Sequence, residues 1–367
     1  MTGRVALITE IPSPYRIPVF NELDELLGGK LDVFFTAASE PRRDWPSPLG
    51  DAQFRYEILG GRQFSVPYRG DRLPIYLAPP LLLRLMRGRY ETVLVGGWSH
   101  LECYWALAYA KSRRARFVLW SETPLLEAFP HRPLRGAVKR AVIGAADAYV
   151  VPGPSAGRYL QRLGADPTRI HLAPNAVDVE FWGERPPEVT RAPPQTLLYS
   201  GRLDAAKGVD LALEAFAASR LVGQAELVIA GDGPERAALE EKAVEGVRFL
   251  GAQTPESLRR LYHSADMLVF PSRYDPWGLV VNEAASARLA AIASDGAGAT
   301  RDLLRDRENA LVVRAGDVVA LRDAMNALHD DPALARRLGA AAAAISETNS
   351  PAACAAGIDE AIGGVRQ

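Results

Sequence analysis

Short apolar runs alternate along this chain with longer stretches in which apolar residues recur every three or four positions. A run of four or five apolar residues between turn formers fits a strand covered on both faces, and the longer spacing fits a helix with one covered face. On this pattern strands are predicted at 4–9, 31–35, 92–95, 117–120 and 148–151. Helices are predicted at 17–27, 77–87, 101–111, 133–143 and 154–163; in the first, Ile17, Phe20, Leu23 and Leu27 form the apolar stripe. Residues 39–74, rich in Pro, Gly and Arg, break the rhythm and predict an irregular, partly exposed excursion with one strand at 54–59.

The stretch 183–194, GERPPEVTRAPP, has no periodicity and reads as a linker after a first domain at 1–182. A second strand–helix alternation fills 195–350, with strands near Leu197, Glu226, Val247, Met267, Ala291 and Ala310. The tail at 351–367 predicts one further helix, crossing back to the first domain. Alternation of this kind gives α/β domains with parallel sheets, here two Rossmann-like domains facing a cleft.

Composition narrows the function classes. At 367 residues, 48% of them hydrophobic, the chain suits two cores rather than one. Nothing approaches the roughly 20 apolar residues of a membrane span, and the apolar segment near the start is too short for a signal peptide. Cys103 and Cys354 match no metal or redox spacing, and the five histidines are scattered, so a reducing, cytoplasmic setting without a metal is predicted. Residues 1–180 carry 23 Lys and Arg against 18 Asp and Glu, and the rest carry 20 against 26. That asymmetry is too weak for a nucleic-acid binder, but it suits a first half that meets something anionic.

Two stretches of the second half carry candidate chemistry. GRLDAAKG at 201–208 follows a strand and precedes a helix. Gly201 opens the loop, Arg202 offers a planar fork to phosphate oxygens, and Lys207 offers a point charge. PSRYDPWGLVVNEAASAR at 271–288 reads as a turn running into a helix, with Asp275 as N-cap, Pro276 at the first helical position and Gly278 allowing a close approach. The helix mouth around Gly278, Leu279 and Val280 would suit an anion. Taken alone, Asp275 reads equally well as a cap and Glu283 as a solvated helix residue. GDGPER, opening at Gly231, is a plausible nucleotide-pocket loop or an ordinary turn. No GxGxxG follows the first strand of either half, which argues against a nicotinamide or flavin cofactor.

GRLDAAKG, GDGPER, VRFLG, ADMLVFPSRYDPWGLVVNEA and APNAVD, in this order apart from the last, which comes first, resemble the motif set of retaining family 4 glycosyltransferases of GT-B fold. The first half resembles their acceptor domains more loosely, through IPSPYR with Tyr15 and Arg16, GGWSH with Trp98 and His100, and SET with Glu122. The family's usual Glu-x7-Glu pair is Asp275 and Glu283 here, its Phe is Trp277, and its glycine-rich opening loop is IPSPYR.

The resemblance implies a nucleotide-diphosphate-sugar co-substrate and an acceptor that is a saccharide, a lipid-linked molecule or a small molecule. It gives the diphosphate to Arg202, Lys207 and the helix mouth, ribose hydroxyls to Glu283, sugar hydroxyls to Asp275 and His100, and the base to backbone near Gly251 and Ala252. With no Asp-x-Asp pair in the sequence, these groups replace a metal. Two other readings stay open: a nucleotide-sugar epimerase of the same fold, and a non-catalytic binding subunit. The segment FPHRPLRGAVKRAVIG suggests an apolar face of Leu134, Val138, Ala141 and Val142 flanked by Arg132, Arg135, Lys139 and Arg140. With LLLRLMRGR at 81–89 it predicts peripheral contact with an anionic membrane, or else an ordinary helix with a solvated basic face.

Overall fold

The apolar runs assemble into two parallel sheets. The computed structural model describes residues 3–40, 47–68, 71–98, 100–123, 133–191 and 193–363. Strands β1 (Val5–Thr9), β2 (Leu31–Phe35) and β3 (Arg55–Ile58) are followed by β4 (Arg62–Tyr68), β5 (Asp71–Leu77), β6 (Thr92–Gly96), β7 (Arg116–Trp120), β8 (Ala148–Val151) and β9 (Ile170–Leu172). All but β4 and β5 form one seven-stranded sheet in the order β3-β2-β1-β6-β7-β8-β9. The second sheet takes β10 (Gln195–Ser200), β11 (Ala225–Ala230), β12 (Val247–Gly251), β13 (Met267–Phe270), β14 (Ala290–Ser294) and β15 (Leu311–Val313) in the order β12-β11-β10-β13-β14-β15.

The apolar strands are continuous because both faces are covered. Along β1, Val5 and Leu7 enter one core with Phe20 and Leu23 of the helix Ile17–Leu26, while Ala6 and Ile8 enter another with Leu85 and Ala106. A strand with one wet face would alternate in polarity instead. In the second sheet Leu197, Leu227, Met267 and Ile292 share a core with Phe216, Met325 and Leu338 from flanking helices.

The chain divides into two compact units, residues 1–176 with 351–367, and residues 177–350. The division therefore falls before the proline-rich stretch 183–194 and not at it. The helix Val179–Gly183 already belongs to the second unit, because Trp182 is buried edge-on against Tyr262, with ring centroids 5.6 Å apart. The last helix, Pro351–Gly363, packs on β8, β9 and the helix Ile17–Leu26 of the first unit. A Cβ on its Gly357 would lie 1.9 Å from the Leu172 carbonyl, so glycine sets that close approach.

Several expectations are corrected. Within 39–74 the described residues carry more regular structure than their composition suggests, since β4 and β5 pair antiparallel from Arg62↔Leu77 to Tyr68↔Asp71. Because Leu77 ends that hairpin, the following helix starts at Pro80 and runs to Gly88. The strand β9 was not anticipated. In the helix Pro133–Ala145, Lys139 is buried and Val142 joins the core, so neither belongs to a membrane-facing surface. Arg132 and the side chains of Leu134 and Arg135 lie outside the described residues. Among the described residues no helix is long and apolar enough to cross a membrane.

Candidate active site

In an open parallel sheet, ligands gather beyond the carboxyl ends of the strands, where the strand order reverses. In the second sheet the reversal falls between β10 and β13. The loops leaving these neighbours are GRLDAAKG and PSRYDPWG, so topology alone sets the two stretches side by side. Lys207 Nζ donates to Asp275 Oδ2 at 2.6 Å, across 68 residues of sequence. Asp275 Oδ1 accepts the Trp277 N–H at 3.1 Å. The backbones are also tied: the Ala206 carbonyl accepts from Arg273 N at 2.8 Å and from Tyr274 N at 3.0 Å. Arg273 closes the link with a two-pronged contact to Asp210, at 2.7 and 2.6 Å.

Asp275 is thus not the helix cap. Its carboxylate is occupied by Lys207 and by its own turn, and Gly278, at φ 98°, separates that turn from the helix Val280–Ser286. A Cβ on Gly278 would lie 2.5 Å from the Phe270 ring. Pro276 therefore lies ahead of the helix, Leu279 occupies its N-cap without a side-chain bond, and the helix ends at Ser286.

Arg202 projects from the same loop as Lys207, with Nε 3.3 Å from Asp204 Oδ2. Asp204 in turn caps the short 3-10 turn Ala205–Lys207 through Ala206 N at 3.1 Å. Tyr199 donates its hydroxyl to the Arg202 carbonyl at 2.7 Å. Burial, reinforced by the charges of Asp204 and Asp275, holds that phenol well above its ordinary pKa, so it stays a donor. The loop after β11 closes the group: Leu203 N donates to the Asp232 carbonyl at 2.9 Å, and Gly231 N to the Gly251 carbonyl at 2.8 Å. A Cβ on Gly231 would lie 1.8 Å from the Gly201 carbonyl, so these two loops touch backbone to backbone. Ala252 follows directly on Gly251 at the end of β12.

Glu283 is not a solvated helix residue. It is only 1% exposed, and its Oε2 accepts the Tyr262 hydroxyl at 2.6 Å. Its neighbour Asn282 accepts the Trp277 indole N–H at 3.0 Å, which seats the buried indole against the helix. The structure therefore unites Lys207 with Asp275 and fixes Arg202 in the same loop, while Glu283 faces inward.

The first sheet reverses between β1 and β6, and their loops also meet. His100 Nε2 lies 2.6 Å from Glu10 Oε1. Burial works against the charged ring, but the hydrogen bond and charge of Glu10 outweigh it and raise the His100 pKa. His100 Nδ1 is buried without a hydrogen-bond partner among the described residues. In the loop that also holds Tyr15, Arg16 pairs with Glu122, donates to Asn175 Oδ1 at 3.2 Å and stacks 4.0 Å over the Trp120 ring. Trp98 stands under Lys139, whose Nζ is 4.6 Å from its ring centre and bonds the Tyr159 hydroxyl. Glu10 and Lys139 were missed in the sequence. Glu10 directly follows β1, a signal that was available; Lys139 sits among other cations on its helix and gave none. Among the described residues, no three His, Cys, Asp or Glu side chains are grouped to hold a metal ion.

Two doubly wound parallel sheets of seven and six strands, with these loops at their carboxyl ends, define the GT-B class of fold. The family model of Glycosyltransferase Family 4 matches residues 21–181, and that of Glycosyl transferases group 1 matches residues 181–345. The chain belongs to this glycosyltransferase family. It is similar to glycogen synthase of Mycobacterium tuberculosis, 31% identical over 216 residues that cover 56% of this chain and 51% of that protein. A phosphatidyl-myo-inositol mannosyltransferase of Mycobacterium leprae is 28% identical over 305 residues, 78% of each chain. The chain thus spans about half the length of the first of these relatives and more of the second. Among solved structures, Anabaena Alr3699/HepE in complex with UDP and glucose matches with a TM-score of 0.78 and 15% identity, covering 99% of this chain and all of that one. At that identity the match speaks for the fold.

Proposed function

We propose that the protein transfers a sugar from a nucleotide-diphosphate sugar to an acceptor hydroxyl with retention of anomeric configuration. The observation that carries this reading is the Lys207–Asp275 contact at 2.6 Å, in loops tied to each other and to Arg202 at the carboxyl end of the second sheet. A departing nucleoside diphosphate gains negative charge as the bond to the sugar breaks, and fixed cations aimed at it lower the barrier. Lys207 and Arg202 take the diphosphate oxygens, together with the backbone amides of Gly278 and Leu279. As Lys207 turns to phosphate, the Asp275 carboxylate is released to accept the sugar's hydroxyls.

In this reaction the acceptor oxygen attacks the anomeric carbon from the leaving-group face. The carbon–oxygen bond to the diphosphate breaks, and the acceptor's proton passes to a phosphate oxygen. His100 suits a positioning role better than that of a base, because Glu10 favours its protonated form and its Nδ1 is left as a donor. Two large cationic side chains do the work that a divalent ion does elsewhere, so no metal is required. The ribose role of Glu283 asks its carboxylate to leave Tyr262 or to reach the ribose with its other oxygen. The names of the relatives favour a saccharide or inositol-lipid acceptor over a protein.

A panel of sugar nucleotides, assayed for slow hydrolysis by the full chain in the presence of chelator, tests the proposal. One donor is expected to be hydrolysed with its anomeric configuration kept, and the Lys207→Gln variant is expected to lose that activity. If every donor survived intact, or released an epimerised nucleotide sugar, transfer would be the wrong reaction.

A further inference from the structure

The amino ends of the second sheet hold a different feature. A cavity of about 560 Å³ opens beside Gln195, the first residue of β10, Asp266, just before β13, and Ala290, the first of β14. Four arginines line it: Arg185, Arg191, Arg288 and Arg336. The parallel strands run from this cavity toward the Lys207–Asp275 loops. Strands of four to six residues therefore put roughly 13–20 Å between the two regions.

Negative charge near this cavity is already committed. Asp266 Oδ2 accepts the Thr196 N–H at 2.9 Å, Glu184 pairs with Arg259 at 3.4 Å, and Glu188 pairs with Arg260 at 3.0 Å. Among the described residues, Arg191, Arg288 and Arg336 make no ion pair within 4 Å. Four guanidinium groups against one carboxylate leave a formal surplus of three positive charges on the cavity wall. Although Arg191 is exposed as a residue, its guanidinium is partly stripped of water at this wall. That burial lowers its pKa; Asp266 opposes the shift, and repulsion from Arg185 and Arg336 adds to it.

Backbone packing sets where two of these cations leave the chain. Arg288 sits in the left-handed region at φ 55°, which a side chain rarely adopts. A Cβ on Gly339 would lie 2.3 Å from the Arg288 carbonyl, so the helix Pro332–Ala342 presses its backbone against this turn and brings Arg336 to the rim. His263, buried on the wall, gives its Nε2 to the Trp182 carbonyl at 2.9 Å. Burial and the neighbouring arginines lower its pKa, so it remains neutral and leaves the anion to the guanidinium groups.

We propose that this cavity binds a small phosphorylated metabolite, a phosphomonoester carried on a polyol or sugar, at a site separate from the loops of Arg202 and Lys207. Planar guanidinium groups fit phosphate oxygens two at a time, and the volume exceeds what inorganic phosphate alone would fill. A free metabolite is distinguished from a lipid headgroup by the probes below.

Calorimetry on the full chain tests this with glycerol 3-phosphate and inorganic phosphate as probes, on wild type, R191Q/R336Q and R202Q/K207Q. Glycerol 3-phosphate is expected to bind the wild type more tightly than phosphate does. Each lost guanidinium contact weakens binding about tenfold, so R191Q/R336Q is expected to lose about a hundredfold. R202Q/K207Q is expected to bind like the wild type. Both positions 191 and 336 are exposed, and an unchanged melting curve would show that R191Q/R336Q folds. Equal binding by wild type and R191Q/R336Q, or loss in R202Q/K207Q instead, would overturn the proposal. So would an Arg191-dependent sedimentation with phosphatidic acid vesicles in the absence of any affinity for glycerol 3-phosphate.

Discussion

Replacing Lys207 by Gln separates the structural use of this cation from its chemical use. In the resting protein Lys207 gives one short bond to Asp275, and both side chains are mostly covered, at 22% and 13% exposure. Hydrogen bonds to charged groups are worth about 1.5–3 kcal/mol, so K207Q is expected to destabilise the second unit by about that much. For a unit of this size each kcal/mol lowers the melting temperature by about 2–4 °C. The chemical loss is larger. A fixed charge aimed at the leaving group supplies about 2–4 kcal/mol, or roughly 30- to 1,000-fold in kcat. Titration calorimetry with UDP and GDP, run beside thermal unfolding, should show about tenfold weaker nucleotide binding in K207Q, with K207R close to wild type. Adding Asp275→Asn should then cost little further stability, because the two groups are coupled through one contact. Nucleotide affinity unchanged in K207Q, with stability alone reduced, would make Lys207 a structural ion-pair partner and refute the clamp.

Gly231→Ala places a methyl group 1.8 Å from the Gly201 carbonyl, and it is expected to cost about 3 kcal/mol or more by chemical denaturation. Gly316→Ala, at φ 86° with nothing within 4 Å, is expected to cost only about 1 kcal/mol. Glu283→Ala removes the charged acceptor of the buried 2.6 Å bond from the Tyr262 hydroxyl, an expected loss of about 1–3 kcal/mol. If Glu283 also takes ribose, its loss weakens UDP binding more than Tyr262→Phe, which keeps the carboxylate; equal effects would limit Glu283 to structural support. For His100 the folded pKa lies above the ordinary value of 6.5, so its pair with Glu10 stabilises the first unit fully below that value and less as pH rises through the folded pKa. The unfolding free energy of wild type relative to His100→Gln should therefore fall from pH 6 toward pH 8, and Glu10→Gln should flatten the trend; a rise with pH would contradict the assignment.

The strands of both sheets could be read from composition because a strand covered on both faces is apolar throughout, as Leu7, Val93 and Val118 are. The β4–β5 hairpin escaped because Pro67 and Pro74 interrupt its pattern; an isolated two-stranded ribbon has free edges that tolerate proline. The strand β9 is three residues long, with His171 at its centre, too short for a period to register. At the site, residue types were legible and partnerships were not. Lys207 and Asp275 each gave a signal, yet their contact depends on β10 and β13 being neighbours, which no local pattern encodes. Asp275 reads like a helix cap because Asp-Pro commonly opens a helix; the φ of 98° at Gly278, where the Phe270 ring leaves no room for a side chain, puts the helix start at Val280. Lys139 read as one of a row of surface cations, and only the packing of Trp98 and Tyr159 around it shows that it is buried.

The most direct measurement is a crystal structure of the chain with UDP and then with the sugar nucleotide that the hydrolysis panel selects, both grown in chelator. Diphosphate oxygens are expected within hydrogen-bond distance of Arg202 and Lys207, with Asp275 turned from Lys207 to the sugar. A diphosphate lying away from both cations, or bound only when a divalent ion is restored, would contradict it.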